Sequence, residues 1–309
     1  MMGPTRRYGV ALGVAVLLIS CGFALLRMGT YGWTLFALLP LLFGVLASWI
    51  FRPSTAERAA AIGAVTAIAP ACFLLIGGLE GAICILMSLP LVVPLGALGA
   101  WLAYRAEPGR QTARNVTMLL LLSPATLAWD VKAPPPVFEV RTAITVAATP
   151  EQVWKHVVTF SELPEPREWY YRAGLAYPMR ARIEGLGPGA IRYCEFSTGP
   201  FVEPIEVWDQ PRLLQFRVTE NPAPMREWSP YGRIQPKHLH GYLVSKRGQF
   251  RLTRLANGPT LLEGVTWYQH GLWPAEYWKW WSDAIIHRIH LRVLNHVRML
   301  AERESNQTW

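Results

Sequence analysis

The fold of the second half of the chain is decided by residues 144–154, which have the sequence ITVAATPEQVW. The first of these residues end an alternating, β-branched run over 137–147 that is typical of a β-strand. Thr149, Pro150 and Glu151 then give three signals of a helix start: a hydroxyl at the N-cap, a proline at the first helical position and an acid in the first turn. We therefore expect a strand followed by a short helix.

Strand-like runs continue after this helix at 177–183, 190–197, 201–208, 213–219, 242–255 and 260–270. A long helix is predicted from residue 274 to about residue 302 because apolar residues recur there at spacings of three and four. The members of this stripe are Trp278, Trp281, Ile285, Ile289, Val293, Val297 and Leu300. The predicted order is therefore strand, short helix, several antiparallel strands and one long C-terminal helix.

This order resembles the START/Bet v 1-like superfamily, also called SRPBCC, which includes the polyketide cyclase/dehydrase and lipid transport type. The resemblance is carried by residues 144–154, by Phe160 and Leu163-Pro164, and by the closing helix, and it covers residues 138–303. It implies an α+β helix-grip domain, in which a curved antiparallel sheet wraps on the long C-terminal helix around an apolar cavity. Such folds host lipid carriers, receptors, cyclases and binding modules, so the resemblance implies a hydrophobic ligand rather than one activity.

Residues 1–130 have a different composition, with apolar segments at 8–26, 33–51, 59–78, 81–104 and 113–129. A bilayer core needs about 20 helical residues, so the first four segments predict transmembrane helices and the fifth is short. The chain is thus expected to combine an α-helical transmembrane bundle with the helix-grip domain. A proline-rich linker at 131–137 joins them, and residues 304–309 form a tail.

The arginines that flank the apolar segments predict the orientation of the bundle. They are concentrated before the first segment, between the second and third, and after the fourth, so the N-terminus is expected in the cytoplasm of a bacterial cell. Five crossings would make the helix-grip domain extracytoplasmic, whereas a re-entrant fifth segment would leave it cytoplasmic. Residues 18–21 also resemble a bacterial lipobox with Cys21 as the acylation site, but the motif is loose, and a plain thiol in a membrane helix is the favoured interpretation.

Composition excludes several other classes of function. The formal net charge of +9 does not indicate nucleic-acid binding, because many of the arginines flank membrane segments and the rest are dispersed. Asp283, His287 and His290 lie on one stripe of the last helix, but no Cys-x-x-Cys or His-Glu-x-x-His motif accompanies them. We therefore expect no metal and no cofactor. Glu80 is the one candidate for an intramembrane charge, and it predicts no transport pathway by itself.

Glu195 and Glu203 are the speculative catalytic pair. A three-residue connection between their strands would place them opposite each other on an apolar face, where one carboxyl pKa would rise as acid/base chemistry requires. Ordinary ion pairs with nearby arginines such as Arg192 are the alternative. The residues expected to contact a ligand are Tyr193, Glu195, Glu203, Trp267, His270, Trp278 and Trp281.

Residues 221–240 contain four prolines together with Met225, Trp228, Tyr231 and Ile234. Such a composition predicts a lid over the cavity mouth or a flap that touches the membrane, and the alternative is an ordered loop that covers the sheet edge. The sequence as a whole predicts a membrane-anchored domain that binds or transfers a lipid-, sterol- or polyketide-like molecule. A cyclase/dehydrase-type enzyme and a non-catalytic sensor or assembly module are the alternatives. The expected partners are the bilayer and a hydrophobic small molecule, and no protein partner is indicated.

Overall fold

The computed structural model of the chain describes residues 4–106, 123–256 and 258–307. The chain divides into two compact units. The first unit consists of Met1–Pro134, Glu227–His238 and Leu272–Pro274, and the second consists of Pro135–Arg226, Leu239–Gly271 and Ala275–Trp309. The first unit therefore includes Glu227–His238, a segment that lies inside the range 138–303 predicted for the helix-grip domain.

The N-terminal half is helical in the residues that the structure describes. Its helices are α1 (Pro4–Met28), α2 (Leu39–Phe51, preceded by a π-helical turn at Thr34–Leu38), α3 (Ala56–Ile76), α4 (Ala82–Arg105) and α5 (residues 123–132). Four helical stretches are long and apolar enough to cross a membrane, namely Arg7–Met28, Thr34–Phe51, Ala56–Ile76 and Ala82–Arg105. They coincide with the first four predicted segments. Most of the fifth, 113–129, lies outside the described residues.

The second half contains nine strands and three helices among the described residues. In chain order these are β1 (Val137–Val146), α6 (Pro150–Val158), α7 (Trp169–Ala173), β2 (Pro178–Glu184), β3 (Ile191–Phe196), β4 (Gly199–Asp209), β5 (Leu213–Arg217), β6 (Glu227–Ser229), β7 (Gly232–Ile234), β8 (Leu243–Arg254), β9 (Thr260–His270) and α8 (Ala275–Gln307). The predicted helix start is confirmed, because the Thr149 side chain accepts from the backbone N–H of Gln152 while Gln152 reciprocates in a capping box.

Close approach of small residues holds α2, α3 and α4 together. A methyl group added to Gly44 would lie 2.0 Å from the carbonyl oxygen of Gly96, and one added to Gly63 would lie 2.3 Å from that same oxygen. The helix backbones therefore touch at Gly96 without intervening side chains. Small residues at such contacts are the usual packing of helices in membranes, where apolar side chains gain little by leaving the lipid.

The second unit is built on a seven-stranded antiparallel sheet in the order β1-β9-β8-β5-β4-β3-β2, with α8 as its long helix. The main core contains side chains of α6, of the sheet and of the C-terminal half of α8, where Leu294 and Val297 are completely buried. A curved sheet with a long C-terminal helix is the predicted helix-grip architecture, and this prediction is confirmed.

The β6–β7 hairpin is the element that the sequence did not predict. It belongs to the first unit, where the carboxylate of Glu227 accepts from the backbone N–H groups of Ile83 (3.1 Å) and Cys84 (2.8 Å) in the first turn of α4. Gly81 permits this contact, because a Cβ there would lie 2.0 Å from a Glu227 oxygen. The acid thus caps a helix N-terminus that has no side-chain cap of its own.

Candidate functional site

An apolar cavity of about 130 Å³ lies between α8 and the sheet of the second unit. Phe201, Phe216, Phe250 and Ile289 form part of its wall. A few polar residues interrupt this apolar lining, and they include a buried ion pair and a histidine of α8. An apolar cavity with few polar groups is the usual form of a small-molecule site.

The ion pair joins Arg192 of β3 to Glu203 of β4, which are directly opposite each other across the two strands. Their side chains are only 2% and 8% exposed. The guanidinium also donates through Nε to the carbonyl oxygen of Val158 at 3.1 Å, and it lies within 5.6 Å of the ring centroids of Phe216 and Phe250. Two opposite charges thus lie side by side in an environment from which water is largely excluded.

Burial acts on the protonation of this pair. It raises the pKa of the Glu203 carboxyl because a buried carboxylate loses its hydration, and Arg192 opposes that rise by its positive charge. Burial also raises the pKa of the neighbouring Cys194 thiol to about 12, so this thiol stays protonated and is no nucleophile at neutral pH. The polar chemistry available at this end of the cavity is therefore that of a carboxyl and a guanidinium.

A second polar group lies on α8. His290 lines the cavity, and its Nε2 and Nδ1 lie 2.7 Å and 3.1 Å from the hydroxyl oxygens of Thr266 and Thr142. Burial, with a smaller contribution from His287, lowers the pKa of His290 to about 4, so the imidazole is neutral at physiological pH. It can donate or accept a hydrogen bond without adding charge to the cavity.

The predicted pairing of Glu195 with Glu203 is wrong. The strands are joined through a two-residue turn, with Phe196 opposite Gly199, so Glu195 lies opposite Pro200 instead. An odd shift in register moves a side chain to the other face of a sheet. Glu195 accordingly lies away from the cavity, where it accepts from the Nε groups of Arg180 (2.7 Å) and Arg182 (3.3 Å).

Tyr193 shares that outer face, with the Arg182 guanidinium 3.9 Å from its ring centroid. None of the other predicted aromatic contacts lines the cavity as the structure describes it: these are Trp267, His270, Trp278 and Trp281. His270 and Trp278 are buried in the second unit, where the His270 ring stacks on Phe138 with centroids 5.2 Å apart. Of the residues expected to contact a ligand, Glu203 is thus the one in the cavity wall.

The residues predicted as a lid divide between the two units. Met225 is buried in the second unit and bridges to Leu175, whereas Trp228, Tyr231 and Ile234 belong to the β6–β7 hairpin of the first unit. The stretch that lines the cavity comes just before them and consists of residues 221–224. The predicted stretch 221–240 therefore includes the residues that line the cavity, but the four apolar residues named for the lid come after them.

The three weak metal candidates on α8 have other partners. The Asp283 carboxylate accepts from the Tyr268 hydroxyl and pairs with Lys279, both at 2.5 Å. His287, like His290, lies beside the hydroxyl of Thr142, at 2.7 Å. Among the described residues, the arrangement that could hold a metal ion lies instead in the first unit, at Glu80, Cys84 and His238.

The buried pair gives a stability prediction with a matched control. We expect Glu203→Gln to lower the free energy of unfolding by about 3–5 kcal/mol, because it leaves the Arg192 charge buried without a counter-ion. Glu195→Gln should cost about 1 kcal/mol or less, since its partners are surface arginines. The double variant Arg192→Met/Glu203→Leu should recover most of the loss. Denaturant unfolding of the second unit, followed by tryptophan fluorescence, measures all three, and equal losses for the two glutamine variants would contradict the prediction.

The second half of the chain is similar to known proteins. Residues 137–272 match the family model described as Polyketide cyclase / dehydrase and lipid transport. No curated protein matches the chain. Among solved structures, the chain is similar to a norcoclaurine synthase point mutant from Thalictrum flavum, with 12% identity, 56% of this chain and 99% of that chain covered, and a TM-score of 0.37.

Two further solved structures are similar over the same half of the chain. One is the Zhui aromatase/cyclase from Streptomyces sp. R1128, with 16% identity, 55% and 96% of the two chains covered, and a TM-score of 0.34. The other is protein NE0264 from Nitrosomonas europaea, with 13% identity, 54% and 96% covered, and a TM-score of 0.34. The family match supports a hydrophobic ligand-binding or cyclase-type domain. Residues 137–272 therefore match the polyketide cyclase / dehydrase and lipid transport family model, and they follow four helices apolar enough to span a membrane.

Proposed function

We propose that the helix-grip domain binds a hydrophobic molecule in the cavity between α8 and the sheet, and that the N-terminal helices tether this domain to a membrane. The observation that carries the proposal is the buried Arg192–Glu203 pair in a largely apolar cavity wall. An apolar wall favours an apolar body, while a desolvated charge pair offers hydrogen bonds to one polar end of a ligand.

The size of the cavity restricts how the ligand is held. A cavity of about 150 Å³ accommodates one benzene ring, and pockets for drug-sized ligands have about 300–1,000 Å³. The 130 Å³ observed therefore fits one end of a lipid-, sterol- or polyketide-like molecule. Entry of the remainder requires displacement of residues 221–224, which line the cavity and are free of helix and strand.

We also propose five membrane crossings, with the helix-grip domain on the extracytoplasmic side. The Tyr31 hydroxyl donates to Glu80 at 2.6 Å, which brings the segments that follow α1 and α3 to one side of the bundle. Asp130 accepts from the backbone N–H groups of Trp33 (2.7 Å) and Thr34 (2.9 Å) on that same side. Since α4 begins on this side and ends at Arg105, these contacts support a fifth crossing before Asp130. The flanking arginines make this side extracytoplasmic.

An acid/base enzyme is the second candidate function. It is favoured by the raised pKa of the Glu203 carboxyl and by the neutral His290 imidazole, both of which line the cavity. A raised pKa favours the protonated form of a carboxyl, which can donate a proton, and a neutral imidazole can accept one. The enzyme would therefore use Glu203 and His290, and Glu195 would have no part in it.

Ligand binding is tested by filling the cavity. We expect Ile289→Trp to lower the amount of co-purified apolar molecule by about tenfold or more, because the larger side chain occupies its space. Leu186→Trp, at a site 83% exposed, is the matched control. Mass spectrometry of organic-solvent extracts of the full-length protein measures both. Lipid bound by the transmembrane helices should be extracted equally from both variants and therefore cancels in the comparison. If no extracted molecule is depleted in Ile289→Trp, the proposal is contradicted.

Catalysis is tested on the molecule that this extraction identifies. If the domain is an enzyme, the wild-type chain converts the extracted molecule, and folded Glu203→Gln retains it while its conversion falls by about 10²–10⁴-fold. Product formation is followed by chromatography, with Glu195→Gln as the control that keeps wild-type turnover. A wild-type chain that binds the molecule and leaves it unchanged rejects the enzyme and retains the binding function.

The membrane side is tested by labelling introduced cysteines with a membrane-impermeant maleimide. We expect Leu186→Cys to be labelled in right-side-out vesicles, and Ser54→Cys, between α2 and α3, to be labelled only in inside-out vesicles. The unsubstituted chain gives the background from the native thiols. Labelling of both sites from the same side would overturn the proposed topology.

A further inference from the structure

A cluster of buried polar side chains lies at the N-terminal end of α4, within the first unit. Glu80, Glu227 and His238 are 4%, 0% and 6% exposed. Nδ1 of His238 lies 3.2 Å from Oε2 of Glu80, and Nε2 lies 3.6 Å from Oε1 of Glu227. Cys84, in the first turn of α4, completes the cluster.

The two carboxylates of the cluster differ in how many of their oxygens accept a hydrogen bond. Glu227 is held by two backbone N–H groups of α4. Glu80 receives the Tyr31 hydroxyl on Oε1, but its Oε2 and both ring nitrogens of His238 have no partner in hydrogen-bond geometry. Buried polar atoms in this condition are costly, and they call for an explanation such as a bound ion.

The charges of these side chains also favour a bound cation. Among the ion pairs of the described residues, His238 is the cationic partner of both Glu80 and Glu227, and it carries that charge only when protonated. Two carboxylates thus share at most one positive charge in a site from which water is excluded. A divalent cation would reduce the excess of negative charge beside a neutral His238, because it brings two positive charges while the Cys84 thiolate adds one negative charge.

The donor atoms are close enough for one ion. Three ligand atoms lie within 4.8 Å of one another, one each from Glu80, Cys84 and His238. Tetrahedral zinc with ligands at about 2.0–2.3 Å holds its donors roughly 3.3–3.8 Å apart, so side-chain movements of about 1 Å bring these three into range. Sulfur, imidazole and carboxylate together favour zinc, since magnesium and calcium prefer oxygen ligands alone.

We propose that Glu80, Cys84 and His238 form a zinc-binding site, with Glu227 as the carboxylate that orients His238 through its other ring nitrogen. Metal-bound histidines usually have such a partner. As zinc binds, the Cys84 thiol releases its proton to solvent, and a protonated His238 likewise loses the proton of the ring nitrogen that binds the metal. Glu80 and Cys84 also line an apolar cavity of about 820 Å³ among the helices of the first unit, which leaves room for a water in the fourth coordination position.

The site would join distant parts of the sequence. His238 follows the β6–β7 hairpin, whereas Glu80 and Cys84 lie at the start of α4. Zinc would therefore attach the segment Glu227–His238 to the helices more firmly than the Glu227 cap does alone. Removal of the ion should loosen this segment within the first unit.

Metal content of the full-length, detergent-purified protein tests the proposal. After chelation and reconstitution with zinc, we expect about one zinc per chain by plasma mass spectrometry. Cys84→Ala and His238→Gln should each lose it, while Cys72→Ala, which removes an exposed thiol from α3, should retain it. Retention of full zinc by folded Cys84→Ala would overturn the assignment.

Cobalt gives a second measurement that does not depend on whether the Cys84 and His238 variants fold. Cobalt loaded into the wild-type chain should show sulfur-to-cobalt charge-transfer absorption, and zinc should displace it. Cys72→Ala should show the same absorption. A reconstituted wild-type chain that binds neither metal, or that binds cobalt without this absorption, would show that the cluster is a histidine–carboxylate ion pair without metal.

Discussion

The register between β3 and β4 determines which charges face the cavity of the helix-grip domain. Because side chains alternate across a strand, pairing Arg192 with Glu203 directs both toward the face that α8 covers and leaves Glu195 on the other face. A slip of one residue would bury Glu195 and expose Phe196, which the core covers almost completely. The apolar core, the cavity and its single buried ion pair therefore all depend on this register.

Features that depend on neighbouring residues could be predicted from the sequence. The helix start at Thr149 and Pro150 follows from two adjacent side chains. The four apolar helices follow from runs of apolar residues that are long enough to cross a bilayer. The long C-terminal helix follows from its periodic stripe. These elements also suffice to identify the helix-grip architecture, because their order along the chain is distinctive.

Features that depend on pairing between distant residues could not be predicted. A two-residue turn at 197–198 pairs Arg192 with Glu203, whereas a three-residue turn at 198–200 would pair Glu195 with Glu203. The sequence is compatible with both turns. The stripe on α8 indicates a buried face but not what covers it, so Ile289 lies at the cavity while Trp278 is buried away from it. The contact from Glu227 to α4 spans 144 residues, and a proline-rich sequence gives no sign of it.

The two units contain buried charge of different kinds, and this difference determines what each can bind. The charges of Arg192 and Glu203 cancel each other in the cavity wall of the helix-grip domain, and such a wall suits an apolar ligand with one polar end. A metal ion there would be repelled by the guanidinium. In the first unit, the negative charge of two carboxylates exceeds the positive charge that one imidazole can carry. A divalent cation would compensate this excess, and an apolar ligand would not. The histidines of α8, although they share a stripe, accordingly bind threonine hydroxyls, while donors suited to zinc gather at the start of α4.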